Sequence, residues 1–230
     1  MGESCVKLIG TWTSPFVLRT QIGLGMKRVQ YEFIGEEKYG PKSDLLLKSN
    51  PVHKKVPVLI HEDKPIPESL AILQYIDEVW ASSGPSILSP HPFDRSVDRF
   101  WATYIDQKMS SIIGGLAIKP GKDGKEATIE QFKRGIMLLE RTFNERSKEK
   151  GKAFFGGNEI GFIDIVFGSL LGWIKVSQLR HGLQLFDPIT APLLAHWAER
   201  FEQHPLVSPH VPDTLKLAEF AEYRFIHDKD

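Results

Sequence analysis

The sequence predicts an α/β domain followed by an all-α domain. In the first part of the chain, a short strand from Cys5 to Ile9 gives way to a helix that begins near Pro15. Residues 82–93 are rich in Ser, Gly and Pro, which is typical of a linker. Beyond the linker, apolar residues recur at helical spacing. We therefore expect two domains, at residues 1–81 and 94–230, joined by a linker at 82–93.

Periodicity predicts each element of the first domain. Cys5 to Ile9 and Val29 to Phe33 alternate apolar and polar residues as strands do, and Pro15 to Met26 between them is long enough for a helix. The two strands of such a β-α-β unit should be parallel. The remaining elements are a short helix, two strands and a third helix, at Lys42 to Lys48, Val56 to Ile60, Lys64 to Ile66 and Ser69 to Ser82.

The second domain is predicted to be a helical bundle, because the helical period continues through it. The five predicted helices are Phe93 to Ile113, Ala127 to Glu149, Phe162 to His181, Pro192 to His204 and Thr214 to His227. The pair Gly114-Gly115 departs from this pattern, since each glycine costs a helix about 1 kcal/mol. Either the helix ends at this pair or the glycines widen a pocket beside it.

Charge and composition exclude several classes of partner. The 230 residues carry 29 basic and 29 acidic side chains, so no net charge favours nucleic acid or an anionic membrane surface. No window approaches the roughly 20 apolar residues of a membrane span. Met1 to Ser4 lacks the apolar run of a secretory signal. We expect a cytosolic protein whose partner is a small molecule or another protein.

Cys5 is the only cysteine, which excludes an internal disulfide and a cysteine-based metal site and fits a reducing compartment. It is either a reactive thiol or, more simply, a small buried or terminal residue. The eight histidines show no paired ligand spacing, so we expect no metal site.

Two segments carry the chemistry of the first domain. Ser14 stands at the start of the first helix, where a hydroxyl beside free backbone N–H groups can hold an anion. The alternative is that Ser14 only caps the helix ahead of Pro15. In Lys55 to Ile60, Pro57 stands at the start of an apolar run, where no donor is needed. Together the two segments describe a thioredoxin-like domain.

These segments belong to longer motifs with a family resemblance. The motifs are Trp12-x-Ser14-Pro15-Phe16, Asn50 to Leu59, Glu68-Ser69 and Gln74 to Trp80. From about residue 6 to the C-terminus, the chain resembles the plant tau-class glutathione S-transferases. The resemblance implies an enzyme of detoxification and stress response, which conjugates the glutathione thiolate to hydrophobic electrophiles. Peroxide reduction is an open alternative as a side activity. The resemblance implies glutathione as co-substrate, no cofactor and a homodimer.

The resemblance also implies roles for individual residues. Ser14 donates to the thiolate, Lys42 and Lys55 face the glycyl carboxylate, Glu68 faces the γ-glutamyl amine, Ser69 holds the γ-glutamyl carboxylate, and the backbone of Val56, before a cis proline, pairs with the cysteinyl amide. Lys54 could serve in place of Lys55, and Pro41 and Asp44 alter the segment around Lys42. The lysines could equally be surface charges, and Glu68-Ser69 could be a helix cap.

For the electrophile, the resemblance implies residues on the helical domain that face Ser14. The candidates are Phe16, Ser110, Ile113 and Trp173, although any apolar one among them could be core. Gly161 to Asp164 resembles the family's entry to a buried helix, a folding device.

Two other functions compete with the transferase. A non-catalytic carrier would sequester apolar metabolites with the same fold. Cysteine-dependent thiol transfer needs a cysteine at the position of Ser14, so it is set aside.

Overall fold

The computed structural model of the protein describes residues 6–37, 40–118, 125–147 and 151–227. The chain divides into two compact units, Met1–Leu88 and Ser89–Asp230, and the division falls inside the predicted linker. Cys5 and Glu149, each at one end of a predicted element, lie outside the described residues.

The first unit is built on a four-stranded sheet with the strand order β2-β1-β3-β4. The strands are β1 Val6–Gly10, β2 Glu32–Gly35, β3 Val58–His61 and β4 Lys64–Pro67. As predicted, β1 and β2 are parallel; β1 and β4 both pair antiparallel with β3. The helices of this unit are α1 Pro15–Met26, α2 Asp44–Ser49 and α3 Ser69–Val79.

Strand β2 begins three residues later than the predicted Val29. The residues before Glu32 belong to the turn that follows α1, because the Val29 N–H donates to the carbonyl of Leu24 and Arg28 adopts a left-handed φ of 53°. Pairing with β1, from Lys7 opposite Glu32 onward, sets the strand's actual start.

The last residues of the first unit, including Ile87 and Leu88, are fastened to a buried ion pair. Lys27, at the end of α1, lies 2.8 Å from the carboxylate of Asp77 on α3. Asp77 also accepts from the backbone N–H groups of Ile87 and Leu88, at 2.9 and 3.0 Å. Burial alone would raise the pKa of Asp77, but these donors outweigh it and hold the pKa below its usual value. The first unit therefore continues past residue 81.

The second unit is built of helices. They are α4 Pro92–Tyr104, α5 Ser111–Ile118, α6 Glu126–Ser147, α7 Phe162–Gly168, α8 Leu171–His181, α9 Pro192–Gln203 and α10 Thr214–His227. A π-helical segment, Ile105–Ser110, joins α4 to α5, and a 3₁₀ turn, Ser208–His210, precedes α10.

Two predicted helices are each divided in the structure. The predicted helix Phe93 to Ile113 is divided by the π segment and continues through Gly114-Gly115 to Ile118, so the alternative that it ends at the glycines is wrong. Packing holds this weak helix in place, because Leu116 is buried and its carbonyl accepts from the ring Nε2 of His181. The predicted helix Phe162 to His181 is likewise two helices, α7 and α8.

Asp164 joins three segments of the second unit. Its fully buried carboxylate accepts from the N–H groups of Phe155, Gly156 and Gly161, each at 2.9 Å, and from the indole N–H of Trp197 at 2.7 Å. The predicted folding role at the start of α7 is confirmed. Burial raises the pKa of Asp164 to about 6, so the carboxylate is ionised at neutral pH.

Among the described residues, one segment, Phe162–His181, is long and apolar enough to cross a membrane by length and composition alone, so the prediction that no window approaches a membrane span is wrong for this segment. Because 78% of its apolar window is buried inside the protein, this segment, which comprises α7 and α8, has the character of core helices.

Candidate active site

Strand register brings three loops of the first unit to one end of the sheet. Ile9 pairs with Val58, and Val58 pairs with Pro67. The chain leaving β1, the chain approaching β3 and the chain leaving β4 therefore meet at this end. These loops carry Ser14, Val56 and Glu68.

Ser14 is the N-cap of α1 and is half-buried. Its Oγ accepts a hydrogen bond from the Val17 N–H at 3.3 Å. A hydroxyl has one proton to donate besides its lone pairs, so capping uses an acceptor and leaves the proton available. The capping and anion-holding roles of Ser14 are therefore compatible. The end of β1 lies close against α1, since a Cβ on Gly10 would meet the Val17 side chain at 2.6 Å.

The loop before β3 is shaped by buried Asn50. Its side-chain NH₂ donates to the carbonyl of Lys55 at 3.0 Å, and its Oδ1 accepts from the His53 N–H at 3.1 Å. The Val56-Pro57 peptide bond is cis, as the resemblance implied. Val56 packs against the core of the unit, whereas Lys55 is exposed. Asn50 thus fixes the path of this loop, which carries the backbone of Val56 and the exposed cation of Lys55.

Glu68 and Ser69 stand at the start of α3. Glu68 has a left-handed φ of 73° and makes no side-chain capping bond, so its exposed carboxylate is not used as a helix cap. Ser69 is buried, and its Oγ accepts from Nη1 of Arg19 at 3.3 Å. Because the guanidinium can only donate, this bond does not use the Ser69 hydroxyl proton. The pair therefore places an anion beside a hydroxyl donor and a helix N-terminus.

Lys42 immediately precedes the N-cap of α2 and is exposed. The N-cap, Ser43, donates to the carboxylate of Glu36 through both its backbone N–H and its hydroxyl. Glu36 thus holds the segment that carries Lys42.

The four electrophile candidates differ in exposure. Phe16 is half-buried on α1, with the Arg19 guanidinium 4.8 Å from its ring centroid. Ser110, half-buried, ends the π segment, while Ile113 on α5 is 1% exposed. Trp173 on α8 is 9% exposed and makes an edge contact with Phe220, with ring centroids 6.4 Å apart.

Four polar residues around these positions were not predicted: Arg19, Glu36, Asn50 and His53. Arg19 offered a signal, because it is a charge among the apolar residues of α1. The others act through backbone groups or across two loops, which no single-sequence pattern marks.

Within the ranges that the structure describes, no group of three or more His, Cys, Asp and Glu side chains could hold a metal ion.

Comparison with known proteins identifies the family. Residues 4–78 match the model of the glutathione S-transferase N-terminal domain. The chain is 50% identical to glutathione S-transferase U17 of Arabidopsis thaliana, over 98% of each chain. It is also 50% identical to a crystal structure of a tau-class glutathione S-transferase from mango, Mangifera indica, with a TM-score of 0.89 and coverage of 96% of this chain and 98% of that one.

A second solved structure, a rice glutathione S-transferase in complex with glutathione, is 33% identical, with a TM-score of 0.80 and 96% of each chain covered. With its thioredoxin-like first domain and helical second domain, the chain belongs to the tau class of plant glutathione S-transferases.

Proposed function

We propose that the protein transfers the thiolate of glutathione to hydrophobic electrophiles and that Ser14 stabilises this thiolate. The observation that carries the proposal is the Ser14 hydroxyl, whose proton remains available at the N-terminus of α1 while its oxygen caps the helix. The sulfur bonds directly to the electrophilic carbon and the leaving group departs with its electron pair. No covalent bond to the enzyme is needed, so orientation and thiol ionisation supply the rate.

The energy required lies within reach of this arrangement. A cysteine thiol has a pKa near 8.5, so only a few per cent is ionised at neutral pH. Lowering that pKa by about two units takes roughly 2.7 kcal/mol. One hydrogen bond to a charged acceptor and a helix N-terminus together supply about this amount.

The remaining groups match the two ends of glutathione. Its two carboxylates require cations or N–H and O–H donors, and its amine requires an anion. We assign the glycyl carboxylate to Lys42 and Lys55, the cysteinyl amide to the backbone of Val56, and the γ-glutamyl carboxylate to Ser69. Glu68 receives the γ-glutamyl amine.

A turnover assay with glutathione and a generic aryl halide tests the proposal. Conjugate formation supports the transferase, whereas binding of apolar ligands without turnover would indicate a carrier. An organic hydroperoxide in place of the halide tests the peroxidase side activity. We place the reaction in the cytosol, in detoxification and the response to stress.

Replacing Glu68 by Gln should raise the KM for glutathione. The γ-glutamyl ammonium loses its anion, and a hydrogen bond to a charged group contributes roughly 1.5 to 3 kcal/mol. The loss should appear mainly in KM and little in kcat, measured by steady-state kinetics with a saturating electrophile. The matched control is Glu62→Gln, which changes an exposed acid between β3 and β4. An unchanged KM would assign the amine to another acid.

Trp173→Ala should change the ranking of electrophiles and leave glutathione affinity nearly unchanged, because we assign Trp173 to electrophile binding. Relative kcat/KM values for several electrophiles measure the ranking, and thermal unfolding is followed in parallel. If glutathione binding and thermal stability are lost together, Trp173 is a core residue. Its exposure of 9% is consistent with that role.

We also propose that the protein is a homodimer. Light scattering at micromolar protein should give about twice the 26.1 kDa mass of the chain. A mass that stays near that of one chain would contradict the dimer.

A further inference from the structure

A histidine lies beside the carboxylate that receives the γ-glutamyl amine. Nε2 of His53 is 3.8 Å from Oε1 of Glu68, and the two side chains are 56% and 64% exposed. Both groups are therefore open to solvent. A ligand ammonium that reaches Glu68 must come close to His53.

Local backbone structure holds both members of this pair. The His53 N–H is bonded to buried Asn50, whose amide also fixes the carbonyl of Lys55. Glu68 begins α3 with a left-handed φ, and no capping bond turns its side chain towards the helix. The proximity of His53 to Glu68 is therefore set by the loop and the helix start.

The charge of His53 matters because histidine ordinarily changes protonation state between pH 5 and 8. As an imidazolium it pairs with Glu68 and repels a second cation; as neutral imidazole it does neither. The other charged side chains on its loop and on the neighbouring elements α2 and β4 are four lysines and one aspartate. They are Lys54, Lys55, Lys48, Lys64 and Asp44. Lysine and aspartate side chains ordinarily keep their charges between pH 5.5 and 7.5.

We infer that His53 is a further residue of the amine end of the glutathione site, and that its protonation lowers the affinity for the γ-glutamyl ammonium. The inference rests on the proposed function, since it needs glutathione to bind with its amine at Glu68.

Binding of S-methylglutathione, measured by isothermal titration calorimetry at pH 7.5 and 5.5, tests this inference. The blocked sulfur removes the thiol titration, while the ammonium and both carboxylates keep their charges. For the wild type we expect the Kd to rise about three- to tenfold on acidification, within the range of partly exposed charge interactions.

Two substitutions separate the two charge states of His53. His53→Gln should bind at both pH values about as the wild type does at pH 7.5. His53→Lys should bind weakly at both. Glu68→Gln should bind S-methylglutathione weakly and lose most of the pH dependence, because the imidazolium of His53 then has no carboxylate to pair with.

The matched control is His196→Gln. His196 on α9 is also exposed and lies 3.9 Å from a glutamate, Glu199, but it is outside the proposed site. Its replacement should leave the pH profile unchanged.

A flat wild-type profile, or a His53→Gln profile that follows the wild type, would overturn the inference and leave the transferase intact. No binding by the wild type at pH 7.5 would overturn the glutathione site and this inference with it.

Discussion

Ser14→Ala is expected to lower kcat about ten- to a hundredfold at pH 6.5, on a loss of roughly 1.4 to 2.7 kcal/mol. In the proposed site the hydroxyl contacts sulfur while other residues hold the ends of glutathione, so the tripeptide should bind almost as tightly but remain a thiol. Part of the activity should return as the pH rises, because solution hydroxide then ionises the thiol. The measurement is the ultraviolet absorbance of the bound thiolate as a function of pH.

Two controls accompany Ser14→Ala. Ser14→Thr retains a hydroxyl for both the cap and the thiolate and should keep much of the activity. Thr13→Val removes the neighbouring buried hydroxyl and should leave the titration of bound glutathione unchanged. Loss of the cap costs about 1 kcal/mol of stability, so the assays are run well below the unfolding temperature. Coincident absorbance curves for the Ser14→Ala variant and the wild type would exclude Ser14 as the activating residue.

Asp164→Ala is expected to reduce the free energy of unfolding by about 3–5 kcal/mol, because it leaves four N–H donors, three of them buried, without their acceptor. Asp164→Asn keeps the size of the side chain but turns an NH₂ group towards the N–H donors. This substitution should therefore reduce the free energy of unfolding nearly as much. Urea unfolding at pH 7.5, where the carboxylate is ionised, measures the loss.

The control for Asp164 is Asp187→Asn, which changes an aspartate that caps the turn before α9 in the same unit. It should cost well under half as much. An equal cost for the two substitutions would show that the four-donor network does not stabilise the second unit more than an ordinary cap.

The sequence predicted the order of the elements because that order depends on local periodicity. The βαβ unit and the amphipathic α3 needed only alternation and helical spacing. The end of α1 at Met26 agrees with the prediction, but the start of β2 could not be predicted, since the backbone bond from Val29 to Leu24 and the pairing with β1 decide it. Likewise, α5 passes through two glycines only because packing on α8 compensates for their low helix propensity.

The proposed site likewise contains residues that the sequence predicts and contacts that only the structure shows. Ser14 and Ser69 stand at helix starts that the sequence marks with Pro15 and an apolar helical face, so local patterns suffice to propose them, whereas the role of Glu68 was predicted from the family resemblance. The contacts of Arg19 with Ser69 and of His53 with Glu68 join residues far apart in the chain. Such pairs become visible only when α1, α3 and the loop before β3 have been folded together.

The buried pair of Lys27 and Asp77 has a consequence for dissecting the chain. Because Asp77 binds the backbone of Ile87 and Leu88, a fragment that stops at residue 81 would lose two N–H donors to a buried carboxylate. A fragment that ends just beyond Leu88 keeps them. Proteases should accordingly spare the stretch up to Leu88, and any autonomous version of the first unit should include it.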